Sequence, residues 1–330
     1  MSFRKALLRL RPEEAITLVF FVPMAYALAG MSTVQSVADG PAAAYPGSLA
    51  RLVALCAATV FFLWLIRFRP RWEFLRDAMP FVFCANVYAN LHDLIRFYGA
   101  PDITETLYRW DVAIFGVEPT IWAERFLHPL LTDFFTFAYW SFYFVGPLLG
   151  LFLYLKRDRI AFRTTMVTIV FCLYLGYIGY VAWPASAPRL WIPDAYSVEI
   201  RGFSAFLDGT RAATAAIPLT AKGAFPSLHC ALALLTILLA WRHLRWFFWA
   251  QIPLGVGLIL GTVYLRHHWV VDILAGFVVT AIAFAWGPRL EEWWARQAAR
   301  AARETEPGTP KVGAPESAAS EIGKRRLAGE

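Results

Sequence analysis

The chain has 330 residues, of which 58% are hydrophobic, 16% aromatic and only 17% charged. That is more apolar surface than one soluble core of this length can bury, which excludes an ordinary water-soluble domain and makes a bilayer the natural solvent. The formal net charge of +7 does not point to nucleic acid, because the basic residues cluster between apolar segments instead of lining one polar face.

A crossing needs roughly 20 apolar residues, and about eight such segments follow in chain order. The first, over 15–37, is long and has no small-residue cleavage site near its end, so it reads as a membrane helix and not as a removed signal peptide. The second covers 49–66. A weaker segment over 78–95 carries Asn86, Asn90, His92 and Asp93, polar groups that must face protein or water and so place it inside the bundle. Residues 101–128 hold charges too often to span, and Trp110, Phe115, Trp122 and Phe126 suit a helix lying at the membrane surface. Five clear spans come next, over 129–155, 161–183, 228–241, 246–265 and 269–286. A short amphipathic helix is expected over 290–303, and the tail beyond Arg300 has the composition of a disordered segment. Cys56, Cys84, Cys172 and Cys230 show no metal or disulfide spacing and read as packing residues.

Arginine and lysine mark alternate connections. Arg4, Lys5, Arg9 and Arg11 precede the first segment; Arg67, Arg69, Arg71 and Arg76 follow the second; Lys156, Arg157, Arg159 and Arg163 follow the span that ends at 155. Arg242, Arg245, Arg289 and Arg296 continue the pattern. The positive-inside rule then puts both termini in the cytoplasm and the intervening loops outside. Arg189, Arg201, Arg211, Lys222 and Arg266 fall on the disfavoured external side, where binding an anion would account for some of them.

Two histidine segments stand at the external helix ends. In Pro226-Ser227-Leu228-His229, the proline suits a helix start, Ser227 offers a hydroxyl and the free N–H groups of a first turn can hold a phosphate. In His267-His268-Trp269-Val270-Val271-Asp272, His268 and Asp272 are four apart and share one helix face. A carboxylate on one imidazole nitrogen fixes the tautomer and leaves the other nitrogen as a nucleophile. A single histidine at a helix end is more often a satisfied interfacial residue; two on one side of the membrane, one with a carboxylate partner, reverse that preference.

These motifs resemble the type 2 phosphatidic acid phosphatase superfamily, whose signatures run K-x6-R-P, P-S-G-H and S-R-x5-H-x3-D on a six-helix core shared with vanadium haloperoxidases. Here Leu228 replaces the glycine of the second signature, and the Ser-Arg pair of the third falls on Gly261 and Thr262. Those departures, with Tyr264, Pro184-Ala185-Ser186-Ala187-Pro188-Arg189 and the segment from Asp111 to Pro119, look more like the inositol phosphorylceramide synthase branch. The resemblance covers roughly 111–276. Hydropathy and the resemblance together give an all-α polytopic helix bundle: N-terminal membrane helices over 1–97, read from hydropathy alone, an interfacial segment over 98–128, the catalytic core that the resemblance implies over 129–289, and an amphipathic helix and tail over 290–330. The resemblance also implies that His268 attacks phosphorus, Asp272 orients it and His229 protonates the departing oxygen, with no cofactor and no metal. Arg189 is the first choice to bind phosphate, with Lys222, Arg266 and Ser227 beside it. The partners implied are membrane lipids, a phospholipid donor and a lipid hydroxyl acceptor, and no nucleic acid. A headgroup phosphotransferase, a lipid phosphate or polyprenyl diphosphate phosphatase, and a non-catalytic lipid-binding membrane protein stay open at this point, as does the oligomeric state.

Overall fold

The structure, a computed structural model, describes residues 8, 10–38, 48–68, 72–215 and 222–303. Among them the chain is all-α, without strands and with one isolated bridge between Ala185 and Gly223. The helices are α1 (Pro12–Ala38), α2 (Ser48–Phe68), α3 (Glu73–Ala89), α4 (Leu91–Tyr98), α5 (Thr104–Phe115), α6 (Pro119–Trp122), α7 (Pro129–Leu155), α8 (Arg159–Ala182), α9 (Pro188–Trp191), α10 (Ala205–Ala215), α11 (Leu228–His243), α12 (Arg245–Tyr264) and α13 (Val270–Arg303). Their starts are chemically legible. Asp158 accepts the Ala161 N–H at 3.0 Å ahead of α8, Ser227 caps α11, and Pro129 occupies the first turn of α7 where its missing N–H costs nothing.

Each of the eight expected segments is helical, but only α7, α8, α12 and α13 are both long and apolar enough to cross a membrane among the described residues. Over Val53–Phe68 and Leu228–His243 the helices are apolar but shorter. Two boundaries differ from the sequence expectation. The polar segment over 78–95 breaks at Asn90, whose side-chain amide donates to the Asn86 carbonyl at 2.8 Å and so competes with the helix for its own backbone. The side chains of His92 and Asp93 lie outside the described ones, as do residues 304–330 of the expected tail. The helix expected over 290–303 is no separate element: α13 runs unbroken through Pro288 to Arg303. It is held there by Glu291, which accepts from Arg163 at 3.2 Å, and by Trp294, whose indole donates to the Leu10 carbonyl at 2.7 Å.

The bundle centre is formed by α7, α8, α11, α12 and α13, with α1, α3 and α4 leaning on α8. Outward-facing apolar residues such as Phe144, Trp249, Val278 and Trp286 are more than half exposed, the inverse of a soluble protein and the surface a bilayer covers. The basic connections meet at one end. There Arg11 pairs with Asp77, Arg76 with Glu14, Arg159 with Glu73 and Asp77, and Arg163 with Glu13 and Glu291. The histidine segments lie at the opposite end, at the start of α11 and in the turn between α12 and α13.

Two glycines let the helices close up beneath those segments, one against backbone and one against a side chain. A Cβ on Gly276 of α13 would stand 2.4 Å from the Ser227 carbonyl oxygen, so the start of α11 rests directly on α13. On Gly176 of α8, a Cβ would stand 2.4 Å from Cγ of Leu228. The leucine that replaces the expected glycine before His229 therefore has its space supplied by α8. Gly176→Ala is expected to destabilise the protein by about 2 kcal/mol through overpacking, and by clearly less in a Leu228→Ala background, where the colliding atoms are gone. Thermal unfolding of the four proteins in detergent measures the coupling; strict additivity would refute the contact.

Candidate active site

His229 enters the site from the second position of α11, behind the Ser227 cap. The Ser227 hydroxyl accepts from the Cys230 N–H at a long 3.4 Å and is fully buried, so it serves the helix start. The His229 ring packs against Tyr139 at 4.7 Å between centroids, nearly parallel, and against Phe142 at 4.5 Å. His267 also stacks on Tyr139, at 4.6 Å. This α7 tyrosine thus aligns histidines from two other elements.

His268 reaches the site through a tight reversal. Helix α12 ends at Tyr264; two residues on, Arg266 has φ 61°, the left-handed region that normally favours glycine, and the N–H groups of His267 and His268 both turn back to the Thr262 carbonyl, at 2.8 and 3.2 Å. The strained residue is an arginine because its side chain is used: the guanidinium donates to Glu124 at 2.7 Å and to the Val198 carbonyl at 2.6 Å, and lies 3.9 Å over the Tyr196 ring. Nε2 of His268 is then 3.3 Å from Nδ1 of His229. On its other side Nδ1 is 3.1 Å from Oδ1 of Asp272, within ion-pair reach but off the line of a good hydrogen bond. Burial, with the Arg189 charge nearby, pushes His268 down to about 3, so its imidazole is neutral at neutral pH. With Nδ1 facing the carboxylate, Nε2 keeps the lone pair.

Asp272 is wholly buried and ties the two helix starts together. Its Oδ2 accepts from the Trp269 N–H at 3.1 Å, and its carbonyl accepts from the Ser227 N–H at 3.0 Å. A second carboxylate completes the start of α13 from outside it. Asp111 of α5, also fully buried, accepts the N–H groups of Val270 at 2.7 Å and Val271 at 2.9 Å, one on each oxygen. Burial lifts the Asp111 carboxyl to about 6 against the pull of those two bonds. The sequence held Asp111 within a family-like segment but gave no sign of this role, because its partners are 159 and 160 residues away.

The cations separate into two groups. Arg189, in the loop pinned by Ser186 accepting from the buried Trp269 indole at 2.9 Å, donates its backbone N–H to the Arg266 carbonyl at 3.1 Å. Among the described residues its guanidinium makes no ion pair with a carboxylate, its Nε is buried without a partner, and its charge acts on His267 and His268. Lys222 and Arg266 are already compensated, by Asp102 and Glu124, and are not brought to the histidines as free cations. Arg211 donates to Thr136 at 3.0 Å, pairs with Asp208, and lies close enough to act on His267. Arg201 is exposed and paired with Glu199.

Chemically, the arrangement offers a neutral imidazole held by a buried carboxylate, a second imidazole beside it and an arginine that, among the described residues, has no counter-ion. That set fits attack on a phosphoryl group whose charge is spread over its oxygens. In-line transfer needs phosphorus between the attacking nitrogen and the departing oxygen, so a bound phosphate must part the 3.3 Å contact of the two rings.

A family model described as the PAP2 superfamily matches residues 105–286, more than half of the chain. The match begins in α5 and ends in α13, and so includes Asp111, Arg189, His229, His268 and Asp272. No curated protein and no solved structure matches.

The double cap generates a direct test. Asp111→Asn offers one acceptor oxygen to two N–H groups and is expected to cost about 1 kcal/mol, and Asp111→Ala about 2 kcal/mol. Both should lower turnover, since the turn of α13 that carries Asp272 loses its fixed position. Unchanged melting temperature and unchanged rate in both variants would show that the cap does not hold the site.

Proposed function

Since the chain belongs to the PAP2 superfamily, whose members carry out lipid phosphatase and phosphotransferase chemistry, we propose that it is an integral membrane phosphotransferase. It moves a phosphorylated headgroup from a phospholipid to the hydroxyl of a sphingolipid or glycerolipid through a phosphohistidine. The observation that carries this reading is His268 poised between Asp272 and His229, with the uncompensated Arg189 beside them.

In the first step Nε2 of His268 bonds to phosphorus as the bond to the donor's glycerol oxygen breaks. His229 gives that oxygen its proton, Asp272 stabilises the positive imidazole, and Arg189 meets the charge on the phosphoryl oxygens. In the second step the acceptor hydroxyl loses its proton to His229 as its oxygen bonds to phosphorus and the N–P bond breaks. Transfer is preferred to hydrolysis because of the departures toward the synthase branch: Leu228 before His229, Gly261 and Thr262 in the third signature, and the Pro184 to Arg189 loop. The position of the histidines opposite the basic end supports a cytoplasmic location for both termini and an external active site.

Purified protein incubated with a mixed lipid extract is expected to form a new phospholipid, detected by mass spectrometry, and to form no phosphoenzyme once His268 is changed to Ala. Released phosphate as the sole product would make it a hydrolase. Near-normal turnover in folded His268→Ala would remove the mechanism altogether. For the orientation, a cysteine placed at Ser204 should react with an impermeant thiol reagent added outside intact cells, and one placed at Arg157 should not. The reverse labelling pattern would overturn the assignment.

A further inference from the structure

Below His229 the bundle is hollow. A cavity of about 310 Å³ descends from the His229 ring between α3, α7, α8, α11 and α12, with walls that include Phe142, Leu173, Tyr177, Leu232 and Leu258. Its position rules out a water-soluble substrate group as the natural occupant, because these walls are membrane-depth helices and mostly hydrocarbon and aromatic. One wall residue breaks the pattern. Gln251 of α12 is 3% exposed, and among the described residues neither its amide nitrogen nor its amide oxygen has a hydrogen-bond partner. Ser141 and Thr236, also on the wall, instead turn their hydroxyls onto the carbonyls of Ala138 and Ala233. A Cβ on Gly255 would meet Ile237 of α11 at 2.7 Å, which registers the two antiparallel helices and sets Gln251 a turn farther from the site. At 1.5 Å per residue, Gln251 therefore lies roughly 18 Å below His229.

A buried amide with four unused hydrogen-bonding positions is costly unless something arrives to meet it. We infer that this cavity binds one hydrocarbon chain of a substrate lipid, and that Gln251 recognises a hydrogen-bonding group, a hydroxyl or its equivalent, carried on that chain far from the head. The inference rests on the proposed lipid chemistry, because the head of such a molecule would lie at His229, where the cavity begins. It adds to that chemistry a means of selecting among lipids that share a headgroup.

Binding of non-hydrolysable alkyl phosphonates, measured by titration calorimetry on the full chain in detergent, tests both parts without turnover. Octadecylphosphonate should bind more tightly than butylphosphonate, and an octadecyl chain hydroxylated far from the head more tightly still by about tenfold. Gln251→Leu should abolish that tenfold preference, and the near-isosteric Gln251→Met serves if the leucine variant does not fold. Gly146 also lines the cavity, and a Cβ there would meet its nearest neighbour at 3.9 Å, so Gly146→Leu fits on the helix and extends into the space. It should shrink the difference between octadecyl and butyl chains. A hydroxyl preference that is absent in the parent, or that survives both Gln251 variants, overturns the role of Gln251. That result also covers the case in which the amide is met by water alone. A chain-length difference untouched by Gly146→Leu overturns the cavity as the chain site. Chain-dependent binding in a protein that forms no phospholipid and releases no phosphate would refute the enzymatic reading and leave the binding site standing.

Discussion

The first N–H groups of α13 need acceptors where water does not reach, and Asp111 and Asp272 supply them. Everything at the site depends on that arrangement. If the turn were free to fray, Asp272 would lose its fixed relation to His268, and the Ser227 N–H, which donates to the Asp272 carbonyl, would lose the contact that seats α11. Two carboxylates close together in a buried place would normally repel, but here each is aimed at the positive end of a helix. The same interaction thus caps the helix start, orients His268 and joins the two histidine-bearing segments.

Much of this was legible in the chain. His229, His268 and Asp272 stood out because ionisable residues are rare at apolar helix ends and because a four-residue spacing puts two of them on one face. Arg189 stood out by its place in a motif, and it is the cation that keeps no carboxylate partner among the described residues. Lys222 and Arg266 rank next to it in sequence because they lie close to His229 and His268 along the chain. What separates them is pairing with Asp102 and Glu124, 120 and 142 residues away, which no local pattern encodes. Tyr139 was invisible for a similar reason. It sits in an aromatic run that any lipid-facing helix could carry, and its stacking on His229 and His267 comes from the crossing of α7 with two other segments.

The basic clusters that read as topology signals have a second use. Arg11, Arg76, Arg159 and Arg163 are all engaged with acids, and Glu13 and Glu14 are almost completely buried among them. Isolated surface pairs contribute little, but removing one partner of a buried pair strands a charge and costs about 3–5 kcal/mol. The network therefore locks α1, α3, α8 and α13 in one relative position. Hydropathy could place these helices in a membrane, but the acids that lock them together are scattered across segments that sequence reads separately.

Helix α13 connects that locked end to the site. Its 34 residues make a rod of about 51 Å, well beyond the roughly 30 Å hydrocarbon thickness of a bilayer. Its first turn carries Asp272, and about 30 Å farther along Glu291 and Trp294 are fastened to Arg163 and to the Leu10 carbonyl, with the last turns running on to Arg303. A rod anchored at these two levels cannot slide to follow the membrane around it. The height of His268 along the bundle is therefore fixed from the opposite end, and a thicker or thinner membrane would change how deep the lipid headgroups lie relative to it without moving the histidine itself.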